Sequence, residues 1–205
     1  MPAPLEAGTF LIASPNLDNL SGREPGDTNF NRTVVLLLQH MEEEGTLGVI
    51  VNRPLGEKIK LYSSEALSDG LAAMEEFPIE PTSMFYQGGP VSRDQLVVLH
   101  QLGDMVKGSM EICDGIYAGG DLDTLRTHAA MVNAEKPVLR FFLGYSGWEA
   151  GQLEQEIERD SWILSPGSVD LTFSTEPDRV WQRALYTLGD KYQSMSFIPE
   201  NLILN

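Results

Sequence analysis

Cysteine is nearly absent from this chain. Its 205 residues include one, Cys113, so no disulfide can form within it and no cysteine cluster is available to hold a structural zinc. A lone thiol fits a reducing compartment. Basic residues are scarce too: 14 Lys and Arg stand against 30 Asp and Glu, for a formal net charge of −16. A grip on a nucleic-acid backbone needs clustered cations, because affinity comes from neutralised phosphates and released counterions. Here Arg23, Arg32, Arg53, Arg93, Arg126, Arg140, Arg159, Arg179 and Arg183 are scattered along the sequence, so no nucleic-acid partner is expected. So acidic a surface repels its own copies, which favours solubility.

Long apolar runs are missing. The longest are strand-length, far short of the roughly 20 residues a membrane-spanning helix requires, so no membrane association is expected. The start, Met1-Pro-Ala-Pro-Leu-Glu6, has no basic n-region and no apolar h-region. No signal peptide is therefore expected, and the protein is placed in the cytoplasm. Cofactor and metal motifs are missing as well. The three histidines, His40, His100 and His128, lie in no His-x-His, His-Glu-x-x-His or Cys/His cluster. Gly119-Gly120-Asp121 is not a phosphate loop, since it lacks the Lys-Ser/Thr of that motif and Asp121 repels anions. No cofactor and no metal are expected.

What is present reads as one domain over residues 1–205, with 1–8 a loose lead-in. Phe10–Ser14 is a predicted strand, and 16–29, with its Ser-Gly and Pro-Gly pairs, a loop. Val34–Gln39 and Leu47–Val51 are β-rich runs joined by an acidic turn over Met41–Gly45, the pattern of a hairpin ended by Pro54. A helix is predicted over Ser64–Met74 and a proline-punctuated connector over Phe77–Ser83. Met84–Gln87, Gln95–Gln101, Met110–Cys113 and Gly115–Ala118 are further strand candidates. Asp121 is a good N-cap for a helix burying Leu122, Leu125, Ala129 and Val132. Pro137–Leu143 is short, apolar and aromatic, as a buried strand is. Trp162–Leu164 and Val169–Phe173 read as strands. A final helix opens at Thr175 or Asp178, buries Val180, Trp181, Ala184, Leu185 and Leu188, and stops at Gly189. Without a regular βαβ rhythm, the class is α+β.

The most distinctive stretch is Gly144-Tyr-Ser-Gly-Trp-Glu-Ala-Gly-Gln-Leu-Glu-Gln-Glu-Ile-Glu-Arg-Asp-Ser-Trp162. It reads as a glycine turn, a short acidic helix with Leu153 and Ile157 on one face, then a Trp-led strand. Trp148 and Trp162 bracket the helix and are expected to pin it to the core, each covering about 150–250 Å². Glu149, Glu154, Glu156 and Glu158 are expected to face water. Gly8–Pro15, Phe30–His40, Gly45–Pro54 and Gly88-Gly-Pro-Val91 leading to Leu99-His100 are equally distinctive. In this order the segments resemble the YqgE/AlgH family of bacterial proteins over nearly the whole chain. The resemblance implies a compact α+β fold with a mixed, largely antiparallel and partly barrel-like sheet flanked by helices. It implies no established activity. The transcription-regulator label carried by one branch is disfavoured by the net charge.

Three constellations bear on function. Gly144-Tyr-Ser-Gly-Trp148 departs from the Gly-x-Ser-x-Gly nucleophile elbow at position 148, where Trp crowds a turn that needs small residues; the resemblance adds that the family commonly has Ala at position 146. His40 precedes Glu42, Glu43 and Glu44, which complete a metal site only by folding back. A hydrolase-like use of Ser146 or His40 is therefore the alternative, and no catalytic residue is assigned. Asn52-Arg53-Pro54 and Gly88-Gly89-Pro90 each adjoin a β-rich run and are expected to meet. Backbone N–H groups at Gly88 and Gly89 would cradle an anion there and Arg53 would supply charge; the rival reading is a purely structural corner. The leading expectation is a non-catalytic binding or regulatory module for a protein or small anionic ligand.

Overall fold

Alternate residues of the apolar runs go to opposite faces of one sheet, and both faces are covered. The computed structural model describes residues 3–15, 28–56, 85–129 and 137–198. Among them the strands are β1 (Thr9–Ala13), β2 (Val34–Met41), β3 (Gly45–Ile50), β4 (Phe85–Gln87), β5 (Val91–His100), β6 (Ser109–Cys113), β7 (Ile116–Gly119), β8 (Leu139–Trp148) and β9 (Trp162–Pro166). The helices are α1 (Leu122–Ala129), α2 (Gln152–Glu158), α3 (Val169–Thr172), α4 (Val180–Thr187) and α5 (Asp190–Ser196).

The strands run in the order β6-β7-β5-β8-β3-β2-β1-β9, with β4 added beside β8. The pairings are antiparallel except β4 with β8, which is parallel. The sheet curls into a half-barrel, so that Cys113 at the end of β6 lies against Gly8 and Gly167, beside β1 and β9 at the far end of the strand order. The fold is thus α+β, with the partly barrel-like, largely antiparallel sheet expected.

Val34-Val-Leu-Leu-Leu38 is buried throughout because both its faces are packed. On the concave side Phe10, Ile12, Leu36, Val49, Leu99 and Phe142 meet Trp181 and Leu185 of α4. On the outer side Leu11, Val35, Leu37 and Ile50 meet Leu153 of α2 and the two tryptophans 148 and 162. A second outer cluster places Phe85, Val98, Phe141 and Leu143 with Leu125 of α1. Trp181 also donates its indole N–H to the Ala13 carbonyl at 2.8 Å, tying α4 to β1. The Asp121 cap on α1 forms, accepting the Thr124 N–H at 2.8 Å.

Several local expectations change. Gly144–Gly147 is not a turn: β8 runs straight through it, pairing Ser146 with Gly48 and Trp148 with Thr46. Val169–Thr172 is helical rather than extended, because Ser168 caps it, its Oγ accepting the Leu171 N–H. A further helix, α5, follows Gly189. Within the lead-in, the Gly8 N–H donates to the Leu37 carbonyl at 2.8 Å and the Pro4 carbonyl accepts from Thr9 Oγ1 at 2.7 Å. The helix expected over Ser64–Met74, the connector over Phe77–Ser83 and the contribution of Val132 lie outside the described residues.

Candidate functional site

The two turns at 52–54 and 88–90 are hydrogen-bonded neighbours. Gln87 N–H donates to the Arg53 carbonyl at 2.8 Å, Leu55 N–H to the Phe85 carbonyl at 2.9 Å, and Ile50 N–H to the Gly88 carbonyl at 2.8 Å. The chain past β3 therefore continues antiparallel along β4. Most of the polar groups of this corner face inward. Gly88 N–H donates to the Leu143 carbonyl at 2.8 Å. Gly88 and Gly89 are buried, and a Cβ added at either would come within 2.2 Å of the Gly144 or Tyr145 backbone. Their smallness lets two stretches of backbone touch. Gly144 answers with φ +71, a conformation in which a side chain is strained. Asn52 is buried, accepting from the Val34 N–H and donating to the Arg32 carbonyl, both at 2.9 Å. Arg53 is half-buried and donates to the Asn31 carbonyl, and Pro54 is exposed.

Ser146 is fully buried, and its hydroxyl points at the Gly88 carbonyl, 3.2 Å away, rather than at a base. His40 sits near the acidic turn. Its Nδ1 is 2.7 Å from Thr46 Oγ1 and its Nε2 is 3.7 Å from a Glu154 carboxylate oxygen. The Nδ1 of His128 donates to the Thr124 carbonyl one helical turn back. Among the described residues no group of three His, Cys, Asp or Glu side chains is gathered as metal ligands are.

His100 is fully buried and stacked on Tyr117, and its Nδ1 accepts the Leu102 N–H at 3.2 Å. The proton of the neutral ring is then on Nε2, which has no hydrogen-bond partner among the described residues. Burial pushes this imidazole below the usual histidine range, opposed by the nearby Gly119 backbone.

Arg140, inside an apolar stretch of β8, was not anticipated. It is buried on the concave side and meets carbonyls rather than a carboxylate: Thr172 at 2.6 Å, Ser174, and Val51 at 3.5 Å. Its guanidinium lies 4.3 Å from the Tyr86 ring centroid. Burial pushes its pKa down to about 10, which leaves it charged at neutral pH. A cation against the carbonyls at the end of α3 is favourable, and it fixes the 172–174 segment to β8.

An open groove among the described residues lies elsewhere. α4 and α5 form a helical hairpin about Gly189, and between them is a groove of about 560 Å³. Arg179, Gln182, Arg183, Tyr186 and Thr187 line it from the α4 side, Ser196 and Phe197 from the end of α5. Tyr186 is 53% exposed and Phe197 71%, with ring centroids 6.5 Å apart in an edge-to-face arrangement. Arg183 donates to Ser174 Oγ at 2.9 Å and to Asp170, and Arg179 is 3.4 Å from Glu176. A second depression of about 330 Å³ shares Arg183 and is walled by Phe173, Ser174 and Val138. One signal for the groove was present in the sequence: 179, 183 and 186 stand at i, i+4 and i+7, one face of a helix opposite its apolar stripe. Phe197 carried no such signal.

Comparison with known proteins gives one consistent answer. A family model described as AlgH-like matches residues 10–193. A UPF0301 protein of Chlamydia caviae is 38% identical over 205 residues, covering 99% of this chain and 97% of the relative. A UPF0301 protein of Chlorobium phaeobacteroides is 38% identical over 196 residues, covering 96% and 94%. The solution structure of the AlgH protein from Pseudomonas aeruginosa superposes with a TM-score of 0.62 at 29% identity, covering 97% of each chain. The crystal structure of protein DIP2367 from Corynebacterium diphtheriae shares the fold, with a TM-score of 0.68 at 20% identity over 97% of this chain and 95% of that one. No helix among the described residues is long and apolar enough to cross a membrane.

Proposed function

The chain belongs to the AlgH-like family, and from that premise we propose that it is a non-catalytic binding module of the cytoplasm whose ligand, a protein or a small anionic molecule, is held in the α4–α5 groove. One observation carries this reading: the groove joins two guanidinium groups to two exposed aromatic rings and, among the described residues, holds no nucleophile beside a base. Arg and aromatic side chains are the residues that dominate binding energy at interfaces. Nucleophilic catalysis by a serine needs a base within hydrogen-bond reach of the hydroxyl, and the Ser146 hydroxyl is instead turned to a carbonyl in the sheet interior. The corner formed by Asn52-Arg53-Pro54 and Gly88-Gly89-Pro90 we assign a structural role, since the Gly88 amide and the Asn52 side chain are engaged within the fold. A DNA-contacting regulatory role is disfavoured by the net charge of −16.

The test is quantitative affinity capture from native cells with three forms of the chain: unaltered, Phe197→Ser, and Glu158→Ser as a surface control. The proposal predicts a species, identified by mass spectrometry, that Phe197→Ser loses and Glu158→Ser keeps. An identical set from all three forms contradicts it.

A further inference from the structure

Resting on that reading of the groove, we infer that its ligand is an acidic, aromatic-bearing segment of a partner protein. The lining is charged in the opposite sense to the molecule. Acidic residues outnumber basic ones 30 to 14 in the chain, yet among the described residues the groove is lined by two arginines and no carboxylate. The acids that touch these arginines stand outside the lining: Glu176 on Arg179, and Asp170 on Arg183. They hold the guanidinium groups in place, and each guanidinium carries five N–H donors in a planar fork suited to a carboxylate. Ser174 Oγ steadies Arg183 further.

Beside the arginines, Tyr186 and Phe197 offer an exposed edge-to-face pair. A third ring or an apolar side chain can complete that cluster, because aromatic rings add specific stacking energy to their area burial. The openness of the site argues for a macromolecule. Metabolite sites enclose most of their ligand, whereas Phe197 is 71% exposed. A second copy of the chain is a poor occupant. Two grooves meeting face to face, as in a symmetric dimer, would bring four arginines together.

The experiment uses the isotopically labelled full-length chain and three synthetic peptides of equal length and aromatic content, one acidic, one uncharged and one basic. Backbone and Arg Nε–H resonances are followed by NMR at low salt, and sedimentation is measured in parallel. The acidic peptide is expected to shift resonances of residues 179–197 selectively. Arg179→Glu, on an exposed side chain, is expected to weaken it at least about tenfold, roughly 1.4 kcal/mol, and added salt to weaken it further. Phe197→Ser is expected to abolish the shifts while leaving the rest of the spectrum unchanged. If the uncharged peptide binds as tightly as the acidic one, the acidic-segment inference falls while the groove stands as a binding site. If no peptide perturbs the groove, both fall. A dimer that Phe197→Ser dissociates makes a second copy the occupant and overturns the inference.

Discussion

Replacing Glu156 is expected to destabilise the fold as few single surface changes do. Glu156 leaves the acidic face of α2 and turns its carboxylate under two indoles: Oε2 accepts the Trp148 N–H at 3.1 Å and the Trp162 N–H at 2.7 Å. Gln152 donates to the other oxygen at 3.2 Å. The tryptophans are 5% and 3% exposed, meet edge to face at 5.9 Å, and both contact Phe30. A hydrogen bond to a charged group contributes about 1.5–3 kcal/mol net, and an orphaned buried donor costs about 1–3 kcal/mol. Glu156 is itself only partly buried, so water can replace some of what is lost. Glu156→Ala is therefore expected to cost about 2–4 kcal/mol, and Glu156→Gln less, since one acceptor oxygen survives. Glu158→Ala, on the exposed side of the same helix, is expected to stay within about 0.5 kcal/mol. Urea denaturation read by tryptophan fluorescence and far-ultraviolet dichroism gives both values, provided the m-value is unchanged. In a double-mutant cycle, Trp162→Phe should cost less once Glu156 is gone. A Glu156→Ala chain as stable as Glu158→Ala refutes the shared-carboxylate account.

Other consequences are open to direct measurement. Because the folded His100 has a pKa below its unfolded value of about 6.5, the unfolded chain binds the extra proton. Its contribution to stability is full above about pH 6.5 and is lost as pH falls toward the lowered folded value; His100→Phe should flatten that part of the pH–stability curve. Burial, then Asp114 and Glu111, push the Cys113 thiol up, so an aromatic disulfide reagent at neutral pH should modify it several-fold faster after unfolding in urea. Equal rates would contradict its placement. With a net charge of −16, mobility-shift titration at physiological salt should show no nonspecific duplex complex; a salt-sensitive shift would count against that expectation.

Much of the fold was legible because its signals are local. Phe10–Ser14 and the 34–51 hairpin follow from short apolar, β-rich runs bounded by turn residues, and the inward face of α4 from recurrence near 3.6. The misreadings occur where tertiary contact overrides a local rule. Glycines at 144 and 147 signal a turn by propensity, yet β8 passes through them, and Gly144 lies where the Gly88-Gly89 backbone presses against the strand. Val169–Thr172 has strand-like composition, but the Ser168 cap and packing against α4 select a helix. Glu156 looked solvent-bound among its acidic neighbours. Its position three residues beyond the buried Leu153, on the inward side of α2, was the overlooked sign. Nothing near Arg140 in sequence shows that carbonyls from residues 51, 172 and 174 converge on it. The groove was half visible: its arginines and Tyr186 share a helical stripe, while Phe197 arrives from a helix whose polar sequence, Asp190-Lys-Tyr-Gln-Ser-Met-Ser196, gives little amphipathic signal.

The central claim is that this protein works by contact through the α4–α5 groove. A photoreactive amino acid placed at Tyr186, and in a separate chain at Glu158 on the exposed side of α2, measures this in native cells. The account predicts a discrete crosslinked adduct from position 186 that is absent from position 158 and is lost when Phe197→Ser is added. The same adducts from both positions, or an adduct from 158 alone, would contradict it.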